Sequence, residues 1–381
     1  MPDLFTSVRS RLSTAILPIL RSREWRTDRQ LLILESDDWG SLYLPPKSQL
    51  SKLQAGGLLT KERSPYEIFD CLESRLDLTR LFDLLSNFDD KNGNPAKITF
   101  NSVMGNPNFD KIRATGFSTY HHEHFFESYR RYYDEDCEDV WYSAISNRVM
   151  TPQFHARAHI NTSRWLTDLN RNVRHTRLAF DHSYYCVRRS NSPPVDYLTA
   201  YWPDSIGDLK QIEDHLNLGI DEFERTFSFR PKTFVACSYV LPKEVERHLA
   251  KLGIKMIQTQ RRHRQPIPGT ATSKFPRRYL GEKNEHGQIY SVRNVTFEPS
   301  TNLSINWVDL AFQQTANAFH RKVPAIVCTH RLNYVSSQDL NNGPRALTAL
   351  KNFLTKVKRD YPSVEFLDSQ QLLEVMQNGG T

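Results

Sequence analysis

Residues 31–41 read LLILESDDWGS, so two adjacent aspartates stand just behind a run of four aliphatic residues. A short unbroken apolar run is typical of a buried strand. Parallel α/β proteins keep their catalytic residues at the carboxyl ends of such strands, which makes Asp37 and Asp38 candidate site residues. Trp39 follows them, and we expect it to bind substrate by stacking on an apolar face of the ligand. The alternative is a helix N-cap whose second acidic residue interacts with the helix dipole.

The rest of the chain alternates short apolar runs with amphipathic segments. We predict strands at residues 96–103, 148–155, 177–184, 229–240, 254–259, 323–330 and 363–368, and helices at 77–88, 164–169, 208–227, 241–253 and 343–360. A repeated strand–helix–strand order implies a parallel sheet. The fold class is therefore α/β, either a barrel or a wound open sheet.

The chain divides into an N-terminal amphipathic extension, residues 1–30, and a single catalytic domain, residues 31–375. Leucines recur at helical spacing among arginines in the extension, a pattern that fits weak contact with an anionic membrane surface or packing on its own domain. Two segments interrupt the alternation, at about 107–147 and 261–290. We interpret both as insertions, the first as a lid or a wall of a substrate cleft.

Composition excludes several classes of protein. Hydrophobic residues at 39% and charged residues at 24% fit a globular domain, and no apolar run approaches the roughly 20 residues that a bilayer requires. The net charge of +7 is spread along the chain without a recognisable nucleic-acid module, so we expect no nucleic-acid partner. Five scattered cysteines argue against a disulfide framework and a thiolate zinc site. With no signal-peptide pattern recognised, we expect a cytoplasmic protein.

The sequence FHARAH places His155 and His159 four residues apart. On one helical turn, that spacing brings two imidazoles to the same face, where they can bind one metal ion. Ala156 stands where the zinc-protease signature requires glutamate, which excludes a peptidase of that class. An oxygen ligand would have to come from elsewhere, and Asp37 or Asp38 could supply it.

The sequence AIVCTHR ends another apolar strand with His330. Three polar sites thus fall at the ends of separate strands. Together they predict a metal site of two histidines and one aspartate with an open position, in which the other aspartate is the general base and His330 the general acid.

In order and spacing, these residues resemble the polysaccharide deacetylases of the NodB homology type. The first motif of that family ends a strand with an aspartate doublet, the second is H-[ST]-x-x-H, and the last ends a strand with histidine. Residues 229–257, FRPKTFVACSYVLPKEVERHLAKLGIKMI, resemble the third motif with the helix and strand after it. The resemblance spans about residues 31–335 and implies a distorted (β/α) barrel.

The resemblance also implies an activity, namely metal-dependent hydrolysis of the N-acetyl group of a sugar or polysaccharide precursor. Carried over by position, it assigns Asp37 as the general base, Arg230 as the residue that orients the base, His330 as the general acid, and Asp38, His155 and His159 as ligands of a divalent ion, most simply zinc. A bound ion of this kind lowers the pKa of its water and polarises the amide carbonyl.

The sequence departs from the family pattern at several positions, as a divergent branch would. Ser36 replaces a phenylalanine, Trp39 a glycine and Ala156 a serine or threonine, and we find no aspartate–tryptophan fourth motif. Two competing functions remain. One is a carbohydrate-binding barrel without turnover, and the other is a glycoside hydrolase on a related barrel, which needs two carboxylates about 5 to 9.5 Å apart from different strands.

Overall fold

The structure, a computed structural model, describes residues 23–59, 63–187 and 197–379. Most of the predicted N-terminal extension, and with it the predicted membrane-contacting helix, lies outside the described residues. Residues 23–30 form no helix. They are tied to the domain by backbone hydrogen bonds from Trp25 to Leu280 and from Thr27 to Lys322. No helix in the described parts of the chain combines the length and apolar character needed to cross a membrane.

The described residues form strands and helices in alternation. The strands are β1 Leu31–Trp39, β2 Ile98–Val103, β3 Gly105–Pro107, β4 His122–His124, β5 Met150–Ala156, β6 Thr233–Val235, β7 Met256–Thr259, β8 Gln265–Pro266, β9 Ser273–Lys274, β10 Ile289–Val292, β11 Val295–Thr296, β12 Ala325–His330 and β13 Glu365–Leu367. The helices are α1 Lys47–Ala55, α2 Tyr66–Phe69, α3 Arg75–Ser86, α4 Phe109–Ala114, α5 Phe125–Tyr133, α6 Glu138–Ser146, α7 Thr162–Asn170, α8 Arg174–Asp181, α9 Asp208–Phe227, α10 Lys243–Lys251, α11 Trp307–His320, α12 Asn342–Asp360 and α13 Ser369–Gln377.

The main sheet is parallel throughout and closes on itself. Its hydrogen-bonded order is β10-β7-β6-β5-β2-β1-β12-β11, and β13 pairs with the first residues of β1. β10 and β11 belong to one short segment that bridges the two edges. At its centre the Arg293 N–H donates to Thr259 O of β7, and the Asn294 N–H donates to Ile326 O of β12. The fold is therefore a distorted (β/α) barrel, as the sequence predicted.

Local sequence explains why the helices form where they do. Helix α3 begins at a capping box in which Ser74 and Asp77 satisfy each other's backbone N–H groups. Its Leu78, Leu81 and Leu85 recur at helical spacing and are fully buried. Helices of this kind cover the outside of the barrel, and the apolar side chains between helices and strands form one continuous core.

The segment at 107–147 is part of that core. Phe125, Tyr129 and Trp141 are buried, and the Trp141 ring packs edge-on against Phe100 of β2 at 5.4 Å between centroids. None of the described residues that line the central cavity comes from this segment, so the predicted lid or cleft wall is not found there. The second predicted insertion, 261–290, contains the β8–β9 hairpin and ends inside the barrel strand β10.

The strand predicted at 177–184 is wrong, because Arg174–Asp181 forms helix α8. Thr176, Ala179 and Phe180 are its buried residues, and they follow helical spacing. The apolar run at this point is too short to distinguish a strand from a buried helix by periodicity.

Candidate active site

A β-bulge explains how two adjacent aspartates face one site. β1 pairs with β2 in register up to Ser36 and Phe100, and the pairing resumes at Trp39 and Ser102, so β1 contains one extra residue. Asp38 there has a φ of 77°, in the left-handed region that few non-glycine residues adopt. Neighbouring side chains in a regular strand point to opposite faces. The bulge removes that restriction, and Asp37 and Asp38 both line the central cavity.

Trp39 does not line the cavity, which corrects the prediction from sequence that it stacks on the substrate. Its side chain is fully buried, stacks on Phe100 at 3.7 Å between centroids and donates a hydrogen bond to Ser36 Oγ at 2.9 Å. The bulge directs Trp39 into the barrel core. The aromatic side chains that line the cavity are instead Tyr43, Tyr66 and Tyr239.

Asp38, His155 and His159 converge as the sequence predicted, although not on a helix. His155 lies near the end of β5, and His159 lies in the bend that follows it. Oδ1 of Asp38 is 3.3 Å from Nε2 of each histidine. The His155 ring is oriented by Val235 O, 2.8 Å from Nδ1. A carbonyl only accepts, so Nδ1 carries the proton and Nε2 keeps its lone pair for another partner.

These three residues fit a metal ion. Ligands bound tetrahedrally to zinc at about 2.0 to 2.1 Å stand about 3.3 to 3.4 Å from one another. The two separations between Asp38 and the histidines match that value. His155 Nε2 is buried and makes no hydrogen bond. Buried polar atoms of this kind are normally satisfied, and a cation would satisfy this one. Two imidazoles and a carboxylate are also the ligand types of many catalytic zinc sites.

Asp37 is held by a residue that sequence reasoning missed. Arg293 lies between β10 and β11, in the segment that bridges the two edges of the sheet. It donates from Nη1 to Asp37 Oδ2 at 2.6 Å and from Nη2 to Oδ1 at 2.7 Å. It also donates from Nε to Glu35 at 2.7 Å, and Asn101 donates to Asp37 Oδ1 at 2.7 Å. All four side chains are buried. The two-pronged contact fixes the orientation of the Asp37 carboxylate.

Arg230, the residue assigned to this role by resemblance, lies elsewhere. Its guanidinium pairs with Asp221 and Glu224 of α9, and its side chain is 39% exposed. The reason is local, since Arg230 precedes β6 at the outside of the barrel. Arg293 follows YSV in a segment with no family motif, and it is remote from Asp37 in sequence. Its one sequence signal is a cation between two short apolar runs.

His330 lies on the other side of Asp37. Its Nε2 is 3.7 Å from Asp37 Oδ2, and its Nδ1 is 2.6 Å from Glu298 Oε1. Because the carboxylate accepts from Nδ1, Glu298 fixes the tautomer and the ring. Glu298 was also missed, although it follows the strand β11 and the rule used for Asp37 applies to it.

The surroundings of Asp37 and His330 favour opposite charges on the two side chains. Burial acts to raise the pKa of Asp37, but the charge and hydrogen bonds of Arg293, aided by His330, outweigh it and lower that pKa. Burial acts to lower the pKa of His330, but Glu298, followed by Cys328 and Asp37, raises it well above the usual histidine range. At neutral pH the site therefore holds an ionised carboxylate beside a protonated imidazole.

These groups open onto one cavity of about 350 Å³. It is lined by Asp37, Asp38, Ser41, Tyr43, Ser64, Tyr66, His155, His159, Cys186, Leu198, Ala236, Ser238, Tyr239 and His330. The volume lies in the range of small-ligand sites, and the tyrosines give it apolar walls with polar edges.

No family model matches the sequence, and no curated protein matches it. Solved structures similar to the chain include a protein assigned as a polysaccharide deacetylase from Mycobacterium smegmatis, with 13% identity, 93% of this chain and 92% of that chain covered, and a TM-score of 0.43. Another is assigned as a glycoside hydrolase or deacetylase from Parabacteroides distasonis, with 10% identity, 93% and 73% covered, and a TM-score of 0.47. A third is a CE4 family pseudoenzyme from Bacillus anthracis, with 13% identity, 91% and 66% covered, and a TM-score of 0.37.

Proposed function

We propose that this chain is a metal-dependent deacetylase that hydrolyses the N-acetyl group of a sugar or polysaccharide precursor. The observation that carries the proposal is the convergence in one cavity of a ligand set and an acid–base pair. Asp38 lies 3.3 Å from Nε2 of both histidines, His155 and His159. Asp37 and His330, the ionised and the protonated group, lie 3.7 Å apart.

Asp38, His155 and His159 would hold the ion. When bound, a divalent ion of the zinc type acidifies a water molecule and polarises the acetyl carbonyl. The remaining chemistry belongs to the protein. Asp37 takes a proton from the attacking water, and its orientation toward the reacting atoms is kept by Arg293. The contact with Arg293 also keeps Asp37 ionised as the pH falls.

His330 supplies the second proton transfer. Its Nδ1 proton stays on the hydrogen bond to Glu298, so the proton available to the substrate is the one on Nε2. As the C–N bond breaks, Nε2 donates that proton to the departing sugar amine. The products are acetate and a free amine. A neutral imidazole could not serve in this step, which is why the raised pKa of His330 matters.

The cavity walls favour a sugar ring as the substrate. Tyr43 and Tyr66 lie 6.0 Å apart between ring centroids, and Tyr66 packs edge-on to His330 at 5.7 Å. Aromatic faces stack against the apolar faces of pyranose rings, while hydroxyl groups such as that of Ser41 can bind the ring oxygens.

The two competing functions are less well supported by the geometry. The carboxylates that line the cavity, among described residues, are Asp37 and Asp38, which come from the same strand. A glycoside hydrolase would need two carboxylates on opposite sides of the bond to be broken. A carbohydrate-binding barrel without turnover would not need an ionised Asp37 beside a protonated His330.

Product analysis tests the proposal. Purified protein loaded with zinc or cobalt is incubated with N-acetylglucosamine oligomers and with a nucleotide-linked N-acetylglucosamine, and acetate and reducing ends are measured separately. We expect acetate release without new reducing ends. An Asp37→Asn variant should lose about 10² to 10⁴ in rate, the usual contribution of a general base. Reducing ends without acetate would instead establish the glycosidase, and ligand binding without either product the binding barrel.

A further inference from the structure

One buried thiol lies beside the candidate metal ligands. Cys237 is fully buried, and its Sγ and the ligand nitrogens of His155 and His159 all lie within 4.8 Å of one another. Cys237 does not only fill apolar space in the core, because it lies beside the histidine nitrogens that are the candidate metal ligands. His155 Nε2 is buried and makes no hydrogen bond within the described residues. Cys237 Sγ therefore lies beside two histidines that the candidate site already uses as metal ligands.

An unusual backbone places the thiol there. β6 ends at Val235, whose carbonyl orients His155, and Cys237–Tyr239 forms a single 3₁₀ turn. Ser238 and Tyr239 both have positive φ, at 54° and 53°. Two consecutive non-glycine residues in the left-handed region are strained and persist only where the surroundings impose them. Strain of this kind is commonly found at functional sites.

We propose that the Cys237 thiolate is a ligand of the ion that His155 and His159 hold. This inference rests on the proposed function and extends it. On binding, the Sγ–H bond breaks, the proton leaves to solvent, and the sulfur lone pair forms the bond to the metal. A thiolate beside two imidazoles favours zinc or cobalt over magnesium, calcium or manganese.

Cys328 provides a matched control. Cys328 lies with Glu298 and His330 in a second group of candidate donors. Those donors already have protein partners. His330 Nδ1 binds Glu298, and Cys328 Sγ lies 3.3 Å from the Tyr239 hydroxyl and 3.5 Å from Arg293 Nη1. Of the two cysteines that belong to groups of candidate donors, we therefore assign the metal-binding thiolate to Cys237.

Cobalt substitution tests the assignment. Wild type, Cys237→Ser and Cys328→Ser are loaded with Co²⁺, and bound metal and the thiolate-to-cobalt charge-transfer absorption in the near ultraviolet are measured. We expect about one Co²⁺ per chain in wild type and Cys328→Ser with the absorption band present, and loss of the band in Cys237→Ser. The inference is overturned if wild type binds Co²⁺ without the band, or if Cys237→Ser keeps it.

A measurement on the wild type alone covers the case in which Cys237→Ser fails to fold. X-ray absorption of the zinc-loaded protein should show one sulfur at about 2.3 Å beside nitrogen and oxygen ligands at about 2.0 to 2.2 Å. A shell of nitrogen and oxygen only would remove Cys237 and leave the proposed hydrolase intact. Failure of wild type to bind zinc or cobalt at all would overturn both proposals, so the two failures are distinguishable.

Discussion

Replacing Arg293 tests how the general base is held, and Arg230 supplies the matched control. Arg293 makes two hydrogen bonds to Asp37 and one to Glu35, all at 2.6 to 2.7 Å, with its side chain 2% exposed. Its removal leaves two buried carboxylates without their cation. Breaking a buried pair from one side costs about 3 to 5 kcal/mol. The exposed pairs of Arg230 are worth about 0 to 1 kcal/mol.

A loss of that size is a large part of the total stability of about 5 to 15 kcal/mol that a domain has. The informative variant is therefore Arg293→Lys, which keeps the positive charge but cannot make the two-pronged contact. We expect it to remain folded in urea titrations and to lose about 10²-fold in kcat/KM, the cost of a misplaced catalytic group. Arg230→Lys should match wild type in both measurements.

The pH profile of Arg293→Lys distinguishes a weakened contact with Asp37 from a general loss of structure. Arg293 lowers the pKa of Asp37 against the effect of burial, so a weaker contact lets that pKa rise. Because Asp37 must be ionised to act, the acid limb of kcat/KM should move to higher pH in Arg293→Lys and stay in place in Arg230→Lys. The reasoning is refuted if Arg230→Lys shows the shift and Arg293→Lys has the profile of wild type.

Three further predictions follow from other contacts. Glu298→Gln removes the charge that raises the pKa of His330, so the alkaline limb of kcat/KM should move to lower pH. Trp39→Ala truncates a core side chain and should lower the free energy of unfolding in urea by about 3 to 5 kcal/mol. Trp39→Phe should leave KM unchanged. Tyr66→Ala should raise KM with little loss of stability. Burial, with a smaller contribution from Arg278, lowers the pKa of His263 to about 3. Between about pH 3 and about pH 6.5 the unfolded state therefore binds one more proton than the folded state. The free energy of unfolding should fall by about 1.4 kcal/mol per pH unit on acidification through that range. His263→Gln should reduce this slope.

The parts of the site that lie at strand ends could be predicted from the sequence. Asp38, His155, His159 and His330 each follow or end an apolar run, and parallel strands bring their carboxyl ends together, so their convergence follows from the fold class. The helical turn assigned to His155 and His159 was not needed for that convergence. Two ligands four residues apart can also meet when a strand ends in a bend.

The parts that depend on backbone irregularity or on long-range pairing could not be predicted. Trp39 is directed inward by a one-residue bulge, and no rule applied to LLILESDDWGS anticipates that extra residue. Arg293 meets Asp37 because one short segment closes the barrel between β7 and β12, a contact that depends on the whole strand order. Cys237 looked isolated in sequence for the same reason, since its neighbours are two histidines on another strand and its loop.

The central claim is that Asp38, His155 and His159 form a metal site. It is tested most directly by elemental analysis of tag-free protein, with wild type compared to a His155→Ala, His159→Ala double variant of confirmed fold. We predict about one equivalent of a divalent transition metal in wild type and none in the double variant. Wild type without metal, even after reconstitution with zinc or cobalt, would contradict the claim and with it the hydrolase mechanism.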